Sequence, residues 1–86
     1  MRKLILADGT EYQNASCGCA DNVLWCYLSL ENTIGDLAQA FSDEEKTATI
    51  RFEAGEQQVS YTGFTELFTL IKRENEVAVA LKRKIR

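Results

Sequence analysis

From Thr47 to Glu53 the chain alternates without a break: Ala48, Ile50 and Phe52 carry apolar side chains, whereas Thr47, Thr49, Arg51 and Glu53 carry polar ones. Successive side chains of an extended strand point to opposite faces, so this beat predicts a strand over about 47–54 with one buried side and one solvated side. A second run over about 57–62 is joined to it around Ala54-Gly55-Glu56, and Phe52, Val59 and Tyr61 are predicted to lie in the core or to line it. The same alternation recurs at Leu4 and Leu6 and again at Val77, Val79 and Leu81.

Turn residues join these runs into hairpins. Asp8-Gly9 follows Leu4 and Leu6, and glycine accepts a positive φ at little cost, so a turn is expected there. A three-residue loop with Gly9 in a bulge sets Leu6 against Thr10 and Leu4 against Tyr12, which keeps one apolar face; a two-residue loop would set Leu6 against Glu11. A second hairpin is expected to turn at Ala20-Asp21-Asn22, between Ala15–Cys19 and Val23–Leu30. With Asp21-Asn22 as a two-residue loop, Cys19 faces Leu24 and Cys17 faces Cys26, so all three thiols share one face. Val23, Trp25 and Tyr27 then share the other. A strand apolar on both sides belongs in the middle of a sheet or presents one face to a partner.

The period changes after Leu30. Ile34, Leu37, Ala38 and Phe41 fall at i, i+3, i+4 and i+7, Asn32-Thr33 can cap, and Asp36 complements a helix N-terminus. A helix is predicted over about 33–42. The segment Phe64–Arg73 reads two ways, with Phe64, Leu67, Phe68 and Ile71 at helical spacing but two threonines, Thr65 and Thr69, and an alternation that suit a strand. The strand is preferred, because Val77–Leu81 forms the next strand and Glu74-Asn75 makes a tight connection. The predicted order is β-β-β-α-β-β-β-β. This is an α+β fold built on an antiparallel, barrel-like sheet of six or seven strands, with one short helix between strands three and four.

Length and composition narrow the picture. At 86 residues the chain is one domain, 1–86, able to bury roughly 60 to 65% of its unfolded surface. Hydrophobic residues at 45% and charged residues at 27% are ordinary globular values, which argues against wholesale disorder. No run approaches the roughly 18 apolar residues of a membrane span, and the N-terminus turns polar too soon for a signal peptide. Synthesis in the cytoplasm is expected, and an odd number of cysteines, three, suits a reducing compartment better than a disulfide framework.

The net charge of −3 conceals a division. Residues 1–71 sum to −7 and residues 72–86 to +4, and residues 31–45 hold Glu31, Asp36, Asp43, Glu44 and Glu45 with no basic residue. An acidic region and a basic end therefore coexist. One consequence is a head-to-tail contact in which the basic end of one copy meets the acidic helix region of the next. The bland alternative is that Lys82, Arg83, Lys84 and Arg86 guard a sheet edge against uncontrolled pairing.

Candidate chemistry is sparse. The chain has no histidine, no nucleophile beside a base and no phosphate-binding glycine pattern, so no catalytic residue and no cofactor is assigned. Cys17, Cys19 and Cys26 could be thiolate ligands with Asp21 as a fourth, but structural zinc sites close with four cysteine or histidine ligands. The three thiols are therefore read as small hydrophobes, with a Cys17–Cys26 disulfide as the lesser alternative and no metal site. Asp36, Asp43, Glu44 and Glu45 are read as solvated surface. Trp25 and Tyr27, with Tyr12 and Tyr61, could stack on bases or sugars, but such platforms sit in basic grooves and the body of this chain is acidic. The expected partner-binding residues are Trp25, Tyr27, Lys82, Arg83, Lys84 and Arg86.

The element order is similar to that of the OB-fold, a small barrel that binds oligonucleotides or oligosaccharides. The phrases Leu4-x-Leu6-x-Asp8-Gly9-Thr10-x-Tyr12, Phe41-Ser42-Asp43, Tyr61-Thr62-Gly63-Phe64-Thr65-x-Leu67 and Val77-x-Val79-x-Leu81 together resemble small prophage-encoded proteins of Gram-positive bacteria, found near head or tail structural genes. The resemblance implies a non-enzymatic, virion-associated or assembly protein that contacts copies of itself or other phage structural proteins. Nucleic acid is a lesser alternative as partner, in the manner of an OB-like binder of single strands. No membrane partner is expected.

Overall fold

The computed structural model describes residues 2–29 and 34–83. Its elements are β1 (Arg2–Ile5), β2 (Glu11–Gln13), β3 (Ser16–Ala20), β4 (Val23–Ser29), α1 (Ile34–Phe41), α2 (Glu44–Thr47), β5 (Thr49–Ala54), β6 (Gln57–Thr62), β7 (Glu66–Lys72) and β8 (Glu76–Lys82). They form two antiparallel four-stranded sheets, one in the order β2-β1-β5-β6 and the other β3-β4-β8-β7. The α+β class holds. The strands number eight among the described residues, in two open sheets instead of one barrel-like sheet, and four of them precede the helices.

The hairpins follow their turn residues. Leu4 pairs with Tyr12, Leu6 N–H donates to Thr10 O at 2.9 Å and Gly9 takes a φ of 93°, as the three-residue loop with its bulge requires. Thr10 N–H donates to Asp8 Oδ1 at 3.0 Å, and this bond holds the Asp8 carboxyl below its ordinary value. Asp21 and Asn22 both take positive φ, 54° and 62°, which is the two-residue type I′ turn. Cys17 accordingly faces Cys26, and Cys19 faces Leu24. Phe64–Arg73 resolves as strand β7, whose helix-like spacing comes from a bulge between Leu67 and Thr69 that breaks the simple alternation.

The extra strand arises at a corner. Asn14, at a φ of 57°, bends the chain between β2 and β3, and the N–H groups of Asn14 and Ala15 both donate to Arg2 O. A strand thereby passes from one sheet to the other, as bends allow in packed sheets. Gly63, at a φ of 86°, makes the matching corner between β6 and β7, with its N–H on Ala48 O at 3.2 Å. The strand orders are therefore unchanged when β1–β4 are exchanged with β5–β8. Each half is a hairpin, a corner and a second hairpin.

The core lies between the sheets. Leu4, Leu6, Tyr12, Leu24, Cys26, Leu28, Ile50, Phe64, Val77, Val79 and Leu81 fill it, with Leu37, Ala40 and Phe41 of α1 added. Tyr12 stacks on Phe41 with ring centroids 5.8 Å apart, tying β2 to α1. Three expectations need correction. Thr47 and Ala48 precede the strand, since Asp43 accepts from Glu45 N–H and caps the short helix α2, leaving Ala48 exposed at its end. Val59 is 44% exposed because it lies on β6, an edge strand. Lys82 ends an interior strand, since β8 lies between β4 and β7, so the basic segment does not begin on a sheet edge. The capping pair Asn32-Thr33, Leu30 and Glu31 lie outside the described residues.

Candidate functional site

The two outer sheet faces differ in chemistry. On the β2-β1-β5-β6 sheet, Lys3 pairs with Glu11 at 3.3 Å and Glu53 at 3.8 Å, and Arg51 pairs with Glu53 at 2.8 Å. Gln58 donates to Glu53 at 3.4 Å. That face is solvated. On the other sheet, the register sets Trp25, Ala80 and Thr69 in one row and Tyr27, Ala78 and Ile71 in the next. Val77, Val79 and Leu81 point into the core, so these residues point outward.

This outer face is apolar and aromatic. Ala78 and Ala80 are fully buried although they belong to the outer side, because Trp25 and Tyr27 flank them on β4 and Ile71 and Thr69 on β7. Trp25 and Tyr27 are half-buried, with ring centroids 6.4 Å apart and planes within 15°. Phe68 at 54% and Ile71 at 40% are two of the three large apolar side chains that stand exposed among the described residues. Phe68 takes its outward position from the β7 bulge. Lys82 Nζ lies 3.8 Å from the Phe68 ring centroid, which places the ammonium on the same face.

The residues expected to touch a partner divide accordingly. Trp25, Tyr27 and Lys82 come together on one face. Arg83 does not join them, since its guanidinium sits over Phe64, 4.8 Å from the ring centroid. Lys84 and Arg86 lie outside the described residues. Phe68 and Ile71 complete the face and were missed by pattern, because the bulge shifts their alternation. The apolar run Val77-Ala78-Val79-Ala80-Leu81 was the usable signal, for a strand apolar on both sides is central and has neighbours covering both of its faces.

A second cluster lies inside. Cys26 is buried, Cys17 is half-buried, Cys19 is exposed, and all three are free thiols. The Tyr61 hydroxyl and the Cys17 thiol interact across the core, linking β6 of one sheet to β3 of the other. Burial pushes the Cys26 thiol far up, with the Cys17 thiol adding to it. Burial also raises Cys17, against the pull of the Tyr61 hydrogen bond, and burial with the neighbouring Cys17 takes the Tyr61 phenol up to about 12. These shifts keep the protons on at neutral pH, so neither thiol is an activated catalytic nucleophile and oxidation of either one is slow. Among the described residues no three His, Cys, Asp or Glu side chains are placed to hold a metal ion.

An open hollow of about 330 Å³ lies beside the β1–β2 turn, lined by Ile5, Leu6, Ala7, Gly9, Thr49, Arg51 and Ser60. Its charged side chain, Arg51, is already ion-paired with Glu53. No lining residue couples a nucleophile to a base. No helix among the described residues is long and apolar enough to cross a membrane. Comparisons with protein-family models, with curated proteins and with solved structures find no match to this chain.

Proposed function

We propose that this protein is a non-enzymatic protein-interaction module, a structural or assembly component of the phage-derived kind its sequence phrases resemble, and that it works as a homo-oligomer. The observation that carries the reading is the asymmetry of the two outer faces: one is an ion-paired, solvated surface, and the other carries Trp25 and Tyr27 on β4 and Phe68 and Ile71 on β7, with Ala78 and Ala80 of β8 between them. A contiguous apolar patch on a small chain marks an interaction site, and aromatic side chains contribute most of the energy at such sites.

The test is the mass in solution by light-scattering chromatography at low and high salt, read together with tryptophan emission. Trp25 is the single tryptophan of the chain, so its emission reports directly on this face. An assembly of two or more chains is expected, persisting at high salt because apolar burial is not screened, with emission shifting to the blue as concentration rises. Phe68→Ser with Tyr27→Ser should return the mass to that of one chain. A mass of one chain at both salt concentrations overturns the homo-oligomer. An assembly that dissolves in salt and ignores those two substitutions moves the contact to the basic end and the acidic helix region.

A further inference from the structure

We propose that Cys17 and Cys26 form a redox-active pair that closes to a cross-strand disulfide, locking the edge strand β3 onto β4. The argument starts from the turn. A type I′ loop at Asp21-Asn22 makes Ala20 and Val23 the hydrogen-bonded pair that closes the hairpin. Hydrogen-bonded and non-hydrogen-bonded pairs then alternate along the antiparallel ladder. Cys19 with Leu24 is non-hydrogen-bonded, Gly18 with Trp25 is hydrogen-bonded, and Cys17 with Cys26 is non-hydrogen-bonded.

That class of pair brings Cα atoms to about 4.5 Å and side chains to their closest approach. A disulfide needs Cα atoms roughly 4.4 to 6.8 Å apart, so the pair meets the requirement with no movement of the strands. Cys19 does not. Its cross-strand neighbour is Leu24, and it reaches Cys26 only on the diagonal, at about 7 to 8 Å. The strand positions also divide the roles of the thiols. Cys17 is half-buried on an edge strand, where a small oxidant reaches it, whereas Cys26 is sealed in the core and acts second.

With hydrogen peroxide as oxidant, the Cys17 sulfur gains oxygen to form a sulfenic acid as one water leaves. The Cys26 sulfur then attacks the Cys17 sulfur, the S–O bond breaks, the S–S bond forms and a second water departs with the thiol proton. Two thiols and one peroxide give one disulfide and two waters. In a reducing compartment the pair stays as thiols, and in an oxidising one it closes. The pair is independent of the aromatic face, which lies on the other side of the same sheet.

The experiment is peroxide treatment of the full folded chain at pH 8, followed by intact-mass measurement and thermal melting. The expected result is a loss of 2 Da with one alkylatable thiol remaining, and a melting temperature several degrees higher, since a cross-link restricts the unfolded chain. Cys19→Ser should close as the parent does. Cys17→Ser should not, and this half-buried site tolerates the change better than the core position Cys26. Closure in Cys17→Ser, failure in Cys19→Ser, or oxidation only to chains linked through Cys19 would each overturn the assignment.

Discussion

Cys26 shows how one buried side chain sets a pH limit on the fold. Its thiol has an ordinary value of 9.0 and is raised well above it by burial and by Cys17. Above pH 9 the unfolded chain gives up a proton that the native chain keeps, so native stability declines as pH rises. Below pH 9 the contribution is complete and constant. Over the window in which only the unfolded thiol is ionised, the slope is about 1.4 kcal/mol per pH unit for one group. Cys17, Tyr12 and Tyr61 are shifted in the same direction by burial and steepen the decline. Urea unfolding at pH 7, 9 and 10.5 should therefore show a plateau and then a fall, and Cys26→Ala should flatten the fall while lowering the plateau. An unchanged slope in Cys26→Ala removes Cys26 as its source. The pairing of Cys17 with Cys26 was legible, because two turn residues fix a register. The Tyr61 contact was not, since nothing local announces which residue of a distant hairpin meets a thiol across the core.

Elements were legible wherever one period ran clean and failed where two features overlapped. The strand β5 and the helix α1 have such periods, and both lie close to where the alternation and the i, i+3, i+4, i+7 spacing put them. In β7 the bulge at Leu67–Thr69 adds one residue to an alternating run, and an alternation with one residue added mimics helical spacing. Helix α2 was hidden by a different overlap. The alternation starting at Thr47 is real, but Asp43 offers its carboxylate to Glu45 N–H at 3.0 Å and Thr47 donates from its hydroxyl to Asp43 O at 3.2 Å. A capped turn therefore takes the first residue of the alternation. Thr47 is fully buried, so this turn is part of the packing between α1 and β5 and not a loose connection. Removing the cap with Asp43→Ala should cost about 1 kcal/mol, within the range measured for helix N-caps. Asp43→Asn or Asp43→Ser should recover most of it. Thermal melts of the three variants decide this, and equal melting for Asp43→Ala and the parent would show that packing of Thr47 holds α2 without the cap.

At the scale of the whole molecule the strand order repeats after exchange of the two halves, yet the sequence shows no repeat. The first hairpin of one half turns through a three-residue bulged loop and that of the other through Gly55-Glu56, so no single offset aligns them. Charge at this scale separates the interaction module from an OB-like binder of single strands. A binder of that kind needs stacking aromatics inside a basic groove, since phosphate neutralisation supplies most of its affinity. Trp25, Tyr27 and Phe68 do provide a stacking surface, and Lys82 stands beside it. The next residue, Arg83, is turned to Phe64 instead, and the chain as a whole carries −3. Self-repulsion between an acidic body and a polyanion opposes the encounter at low salt, where Debye lengths are long and attraction should otherwise be strongest. Titrating a single-stranded oligonucleotide into the protein at low salt, with Trp25 emission as the readout, should leave the emission unchanged at micromolar concentrations. Quenching that saturates and disappears as salt rises would instead assign the aromatic face to nucleic acid. Because the same tryptophan reports protein association, the two readings are separated on one residue by which added component moves its emission.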